Sequence, residues 1–139
     1  MDISRKIGLG AGIFGFVGVG LGAFGAHGLQ SLLVERGTTE VWKTAVEYQL
    51  MHAVAMLALA AWVSGEAGQA EGRRRLRRGL LGWAAGCWGV GVTLFSGSLY
   101  VLALGGPGWL GPVTPIGGLA LLGGWALVAV GAARGGSRN

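Results

Sequence analysis

The polar side chains of this sequence that could bind a ligand fall into four short segments. Imidazole, amide, phenol and hydroxyl groups can form hydrogen bonds with a small polar molecule or a lipid headgroup. The candidate binding residues are His27 and Gln30, then Tyr48, Gln49 and His52, then Thr93, Ser96, Ser98 and Tyr100, and finally Thr114. What they do depends on the elements that position them.

A metal site is an alternative interpretation of the two imidazoles. His27 and His52 are the only histidines, and neither segment offers an acidic or thiolate third ligand. Met51 and Met56 would favour copper, which binds thioethers. Cys87 is the single cysteine, so no disulfide and no CxxC pair can form within the chain.

Motifs that are typical of enzymes are incomplete here. The triplet Ser96-Gly97-Ser98 is not the G-x-S-x-G of a hydrolase nucleophile, and Asp2 is the only aspartate. The pattern G-x-G-x-x-G begins at Gly10 and again at Gly20, but a dinucleotide-binding site needs a preceding strand. We therefore expect a protein that is not an enzyme, with no catalytic residue and no cofactor.

The segments between these residues are unusually hydrophobic. Of 139 residues, 52% are hydrophobic and 12% charged, and the mean hydropathy is +0.57. Soluble domains carry about 25% charged residues, and they avoid large exposed apolar patches. The 30 glycines follow no collagen period and are accompanied by only three prolines. The composition excludes an ordinary soluble domain and predicts an integral membrane protein whose partner is the lipid bilayer.

Stretches without charge locate the membrane spans. Charged residues are absent from 7–34, 48–65 and 79–133, and each charge at bilayer mid-depth costs about 2.5–3.5 kcal/mol. A helix crosses with about 20 residues, so the third stretch holds two spans, divided by the Gly and Pro cluster at 105–115. We predict an all-α four-helix bundle, a single membrane domain over 1–139, with helices near 7–30, 40–64, 79–104 and 114–133.

The basic residues predict the orientation of these helices. Of the 11 Lys and Arg residues, all except Arg36 and Lys43 fall at the N-terminus, in the loop at 73–78 or in the C-terminal tail. Because Lys and Arg accumulate on the cytoplasmic side, we expect both termini in the cytoplasm. The arginine loop then marks topology, and we expect no nucleic-acid partner. Trp42 fits an interfacial belt, whereas Trp88 and Trp125 lie deeper.

This topology carries the four polar segments into the outer half of one bundle. We expect His27, Gln49, His52, Ser96 and Tyr100 to converge there. The cluster could hydrogen-bond across helices, at about 0.6 kcal/mol per bond, or it could bind a small molecule or lipid headgroup. A small transporter or channel is the alternative function, but the inner half offers few polar residues. No carboxylate lies deep in a span. Glu47 follows Lys43 by four residues, and this spacing predicts a solvated ion pair between them.

Small residues at helical spacing predict close contacts between helices, because glycine lets two backbones approach. These contacts could form within one bundle or between the subunits of a homo-oligomer. The pairs are Gly8/Gly12, Gly18/Gly22, Gly82/Gly86 and Ala120/Gly124.

Four blocks of the sequence resemble the family called domain of unknown function 423, which includes bacterial inner-membrane proteins and animal transmembrane protein 256. The blocks are 22–29, 44–49 with 52–53, 95–100, and 114–118 with 124–125. The resemblance implies a four-helix, multi-pass protein of the bacterial plasma (inner) membrane. It implies no reaction, substrate or ligand, and the loop with five arginines looks particular to this chain.

Overall fold

A computed structural model describes residues 1–65 and 71–134, and every regular element in those two ranges is helical. The α-helices are α1 (Ile3–Ala26), α2 (Gln30–Glu35), α3 (Thr39–Ser64), α4 (Glu71–Ala103) and α5 (Val113–Ala133). A 3₁₀ turn, Gly108–Leu110, precedes α5. The all-α class is confirmed. Part of the basic tail used to predict orientation, Arg138, lies outside the described residues.

Four helical segments of the described chain are long and apolar enough to cross a membrane. They are Ile3–Ala26, Thr39–Ser64, Arg75–Ala103 and Gly108–Ala133. Helix α4 begins eight residues before the predicted 79 because Glu71 and the arginines that follow are good helix formers. The predicted number of four spans is confirmed. All four begin before the helix predicted for them, and the first ends earlier, at Ala26.

The first helix, predicted near 7–30, ends earlier than expected, and a separate short helix begins at Gln30. Helix α1 ends at Ala26, and the amide of Leu29 then bonds the carbonyl of Phe24 at 2.9 Å. A Cβ at Gly28 would lie 2.5 Å from the Phe24 ring, so glycine permits this turn. The chain resumes as the short helix α2, and its next turn depends on Gly37 at φ +66°.

Consecutive long helices run in opposite directions, so the bundle has two distinct ends. Ile3 lies against Gly82 and Leu81 against Gly131, at what we call the N-terminal end. At the opposite end, which we call the α2 end, the Thr38 hydroxyl donates to the carbonyl of Ala103 at 2.8 Å. The α2 end is the one that the basic residues predict to face outward.

The four spans are arranged as two pairs. Helix α1 packs along α3, α5 packs along α4, and the pairs join where α3 meets α4. No comparable contact joins α1 to α5 within the described chain. This arrangement leaves two lateral grooves, one between α1 and α4 and one between α3 and α5.

Small residues make the contact within each pair. On α1, Gly18 faces Leu50 of α3, where an added Cβ would approach a side-chain carbon to 2.8 Å, and Gly25 faces the Trp42 ring. On α5, Gly124 faces the ring of Trp88. The contact stripe of α1 consists of Gly8, Ala11, Gly15, Gly18, Gly22 and Gly25, at alternating spacings of three and four residues.

The predicted glycine pairs are only partly used in this way. Gly18 and Gly22 both face α3, but Gly12 and Gly86 have nothing within 4 Å of an added Cβ, although Gly8 and Gly82 contact neighbouring side chains. The reason is geometric. Residues that face a neighbouring helix are spaced alternately three and four apart, so residues repeated at four alone turn gradually away from the contact. A homo-oligomer through the remaining glycines stays a prediction.

Candidate functional site

Gln49 joins three helices near the α2 end. Its side chain is buried, and Nε2 donates to the carbonyl of Phe14 on α1 at 2.9 Å. Oε1 accepts a hydrogen bond from the hydroxyl of Tyr100 on α4 at 3.0 Å. In lipid these groups have no water to bond, so each depends on the other helix. The amide therefore acts as a cross-link between α1, α3 and α4.

Trp42 extends this network, although its position in the sequence indicated only an interfacial belt. Its indole Nε1 donates to the carbonyl of Leu21 at 3.0 Å, and its ring lies 4.7 Å from that of Tyr100. The sequence signal that could have found it is the small-residue stripe of α1, because the ring needs Gly25 opposite it.

His52 uses both ring nitrogens within the protein. Nδ1 lies 2.8 Å from the carbonyl of Tyr48, and Nε2 lies 3.2 Å from Nε1 of Trp125 on α5. A carbonyl only accepts and an indole N–H only donates, so this network assigns the neutral tautomer with the proton on Nδ1. The lone pair of Nε2 is then occupied by Trp125.

The geometry offers little to a metal ion. Within 1–65 and 71–134, no three His, Cys, Asp or Glu side chains are grouped as metal ligands would be. His27 is exposed at the end of α1, and no hydrogen bond among the described residues links it to His52. The structure does not bring His27 and Gln30 into the cluster, because α1 ends before them.

The serine and threonine candidates separate into three kinds. Ser98 donates to the carbonyl of Phe95 and lies 2.7 Å from the hydroxyl of Thr114, so Thr114 donates and ties the start of α5 to α4. Thr93 is exposed and bonds only the carbonyl of Gly89 in its own helix. Ser96 is buried, and its hydroxyl has no partner among the described residues.

A groove of about 570 Å³ lies between α3 and α5, beside His52. Its aromatic wall consists of Tyr48 and Phe95, whose rings lie 4.5 Å apart, and of Trp125, whose ring lies 4.8 Å from that of the buried Trp88 behind it. Its rim is exposed, as shown by the 66% exposure of Leu122. The lining residues are Tyr48, Met51, His52, Phe95, Pro115, Gly118, Leu119, Leu121, Leu122 and Trp125. In a bilayer, such a rim opens toward lipid.

The half of the bundle nearer the N-terminal end has a mainly apolar interior, with Ser4 and Arg77 as buried polar residues close to the end itself. Its core consists of Ile7, Ala11, Met56, Leu59, Ala60, Val63, Leu81, Ala84, Ala85, Trp88, Val92 and Leu121. At the end itself, Arg77 lies over the Trp62 ring at 4.5 Å, and Arg78 donates to the carbonyl of Val63 at 3.4 Å. These cations cover the last turn of α3, where the helix dipole favours positive charge.

Much of the network and of the groove lies in the part of the chain that a known family describes, whereas Phe14 and Trp125 lie outside it. A family model described as "Protein of unknown function (DUF423)" matches residues 21–118, which include all the binding residues predicted from the sequence, from His27 to Thr114. The chain belongs to the DUF423 family. The resemblance seen in the sequence is thus confirmed. Three of its four blocks are joined by hydrogen bonds, Gln49 with Tyr100, His52 with Trp125, and Ser98 with Thr114. The first block meets the second where Gly22 faces Val46.

Curated relatives of this DUF423 protein are named as membrane proteins. The chain is 41% identical over 133 residues to the UPF0382 inner membrane protein YgdD of Escherichia coli K12, covering 94% of this chain and 92% of that protein. It is 36% identical over 126 residues to the UPF0382 membrane protein YwdK of Bacillus subtilis, covering 91% and 94%. A UPF0382 membrane protein of Schizosaccharomyces pombe is 36% identical over 125 residues, covering 86% and 95%.

No solved structure matches the chain. The names of the relatives state a membrane location and no activity. The chain is therefore a membrane protein of an uncharacterised family.

Proposed function

We propose that this DUF423 protein is a non-enzymatic, multi-pass protein of the plasma membrane that binds an apolar small molecule in the groove between α3 and α5. The observation that carries the proposal is the groove itself, a space of about 570 Å³ with an aromatic wall and an exposed rim. Binding sites for small molecules are concave and mostly apolar, with a few polar groups that orient the ligand.

The polar cluster serves this groove by fixing its walls. The bond between His52 and Trp125 holds α3 to α5 at the floor, and the bond between Ser98 and Thr114 holds α4 to the start of α5. The phenol of Tyr48 lines the groove and makes no hydrogen bond among the described residues. The ligand class is therefore an apolar molecule, such as a lipid chain, with one hydrogen-bonding group near Tyr48.

The packing near the N-terminal end supports binding over transport. A transporter or channel needs polar groups or water along a path through the membrane. The buried core in that half is formed by side chains such as Leu59, Val63 and Leu81, which are at most 3% exposed. A groove that closes against this core suits a binding or organising protein.

Glycines of α5 allow a direct test of the groove. At Gly118, which lines it, an added Cβ would lie 3.8 Å from the Phe95 ring, an ordinary contact, so Gly118→Leu places its side chain in the groove without disturbing the backbone. At Gly123 an added Cβ meets nothing within 4 Å, and Gly123 does not line the groove. Gly123→Leu is thus the matched control.

The measurement is native mass spectrometry of the purified protein in several mild detergents. We expect the parent chain and Gly123→Leu to retain a co-purifying apolar molecule, and Gly118→Leu to lose it. A parent chain that retains nothing in any detergent contradicts the proposal. Equal retention by Gly118→Leu places the bound molecule elsewhere and also contradicts it.

Both termini are proposed to face the cytoplasm. The support is the placement of Lys and Arg, together with the name of the Escherichia coli relative, an inner membrane protein. The test adds a C-terminal cysteine to a Cys87→Ala chain and treats intact bacteria with a membrane-impermeant maleimide. We expect labelling only after the cells are permeabilised. Labelling of intact cells would show that the C-terminus faces outward and would contradict the proposed orientation.

A further inference from the structure

A second cavity lies on the opposite side of α3 from the groove. It has a volume of about 420 Å³ and is enclosed by the end of α1, the short helix α2 and the start of α3. Trp42, Val46 and Leu33 form its apolar part, and Gln30, Lys43 and Glu47 bring polar groups to it. We call it the α2 pocket.

The α2 pocket straddles the boundary between lipid and water. Charged side chains are costly inside the bilayer and stay near its surface, so Lys43 and Glu47 mark the depth of the headgroups. Gly22 and Gly25 of α1 line the same pocket and belong to a membrane-spanning helix. A molecule in this pocket therefore has a polar end beside α3 and an apolar part along α1.

The ion pair at the pocket differs from the one that the sequence predicts. Lys43 pairs with Glu40, at 2.8 Å, and not with Glu47, so the expected Lys43–Glu47 ion pair is wrong. Helical neighbours at three and at four residues compete for the same ammonium, and Glu40 is the nearer. Glu47 is exposed and makes no hydrogen bond or ion pair within the described ranges, and its charge acts on Lys43 only at longer range.

Two complementary binding groups result. An ammonium has three donors, and the bond to Glu40 uses one of those of Lys43, which leaves donors for a phosphate. The carboxylate of Glu47 accepts hydrogen bonds and has none from the protein. Both groups lie one turn apart on one face of α3, over an apolar pocket.

We propose that the α2 pocket binds a phospholipid whose headgroup carries a phosphate and a primary ammonium, as in phosphatidylethanolamine. Glu47 accepts the ammonium N–H groups, Lys43 donates to the phosphate, and an acyl chain lies against Val46 and Gly22. A quaternary ammonium has no N–H to donate to Glu47. A lipid with a phosphate alone leaves Glu47 unmatched beside a negative charge. This proposal does not rest on the groove between α3 and α5.

The experiment titrates the delipidated full chain with three lipids of identical acyl chains in detergent and counts bound lipids by native mass spectrometry. The lipids are phosphatidylethanolamine, phosphatidylcholine and phosphatidylglycerol. We expect phosphatidylethanolamine to bind about tenfold more tightly than either other lipid, the ratio that one charge-assisted hydrogen bond supplies. Equal binding of all three, or preference for phosphatidylglycerol, overturns the proposal.

Glu47→Gln tests the residue, and Glu35→Gln is its control. Both are exposed carboxylates near the α2 end, but Glu35 does not line the pocket. We expect Glu47→Gln to bring the three affinities to within about twofold, and Glu35→Gln to keep the parent preference. An unchanged preference in Glu47→Gln contradicts the assignment. Gly118→Leu, which blocks the groove, should leave the preference intact, so the two proposals fail separately.

Discussion

The two halves of this bundle are stabilised by different interactions. Near the α2 end, Gln49 and Trp42 donate hydrogen bonds to neighbouring helices, and His52 accepts one from Trp125. Near the N-terminal end, helices meet through apolar side chains and glycine, as where Leu81 lies against Gly131. In lipid there is little hydrophobic force between helices, so close packing and polar bonds must associate them. Packing dominates one half, and polar bonds select the neighbours in the other.

The largest expected effect is the loss of core volume near the N-terminal end. Leu81 is fully buried, so Leu81→Ala should lower the free energy of unfolding by about 3 kcal/mol. Leu9 is 59% exposed toward lipid, and Leu9→Ala should change it by less than about 0.5 kcal/mol. Denaturation of the purified variants in mixed detergent measures both. Equal effects would mean that core packing does not stabilise this half.

A larger side chain at Gly124, between α4 and α5, should give the next largest loss of unfolding free energy. A Cβ at Gly124 would contact the Trp88 ring and lie 3.1 Å from the carbonyl oxygen of Ala84, a backbone atom that cannot turn aside. We expect Gly124→Leu to cost about 2 kcal/mol of unfolding free energy. Gly123→Leu, one residue away in open space, should unfold like the parent chain. The same assay compares them, and a stable Gly124→Leu would show that the pair can separate without loss.

A double-mutant cycle measures the polar bonds at the α2 end. Gln49→Leu and Tyr100→Phe each remove one partner of the 3.0 Å hydrogen bond. We expect each to cost about 1 kcal/mol, with a coupling energy of about 0.6–1.7 kcal/mol in the double variant. Strictly additive losses would show that the two groups do not interact, and the contrast between the halves would weaken.

The smallest effect is expected at the hydroxyl of Ser96. It is buried without a partner among the described residues, so Ser96→Ala removes an unsatisfied group and leaves the unfolding free energy unchanged or slightly raised, within about 0.5 kcal/mol. Ser98→Ala, which removes a bond to Thr114, is the comparison and should destabilise. A loss at Ser96 as large as that at Ser98 would indicate a bonded water or ligand at Ser96.

Much of the fold could be predicted because charge has a high cost in lipid. The charge-free runs located four spans, and the Gly and Pro cluster at 105–115 divided the last two. The contacts of the polar cluster could be predicted only in part, because the cost of charge in lipid does not specify which side chains meet. The topology predicts His27 and His52 at a similar depth, but α1 ends at Ala26 and the chain turns at Gly28, so His27 lies outside the cluster.

Local spacing also left partners undecided. Lys43 has carboxylates at three residues before and four after, and side-chain geometry in the folded helix decides for Glu40. The position of Trp42 near the end of a span predicts an interfacial residue, but its ring lies opposite Gly25, inside the α1–α3 contact. In both cases the contact depends on where the partner side chain or backbone lies in the folded protein, and the spacing of residues in the sequence does not specify that position.

The sequence by itself determined the solvent, the helical class and the number of crossings, because these follow from the cost of placing charge and unpaired backbone groups in lipid. Only the tertiary structure decided which helices form pairs, which polar groups bond each other, and where the groove and the α2 pocket lie. Those features depend on the rotation of each helix about its axis, which is set by contacts between side chains distant in sequence.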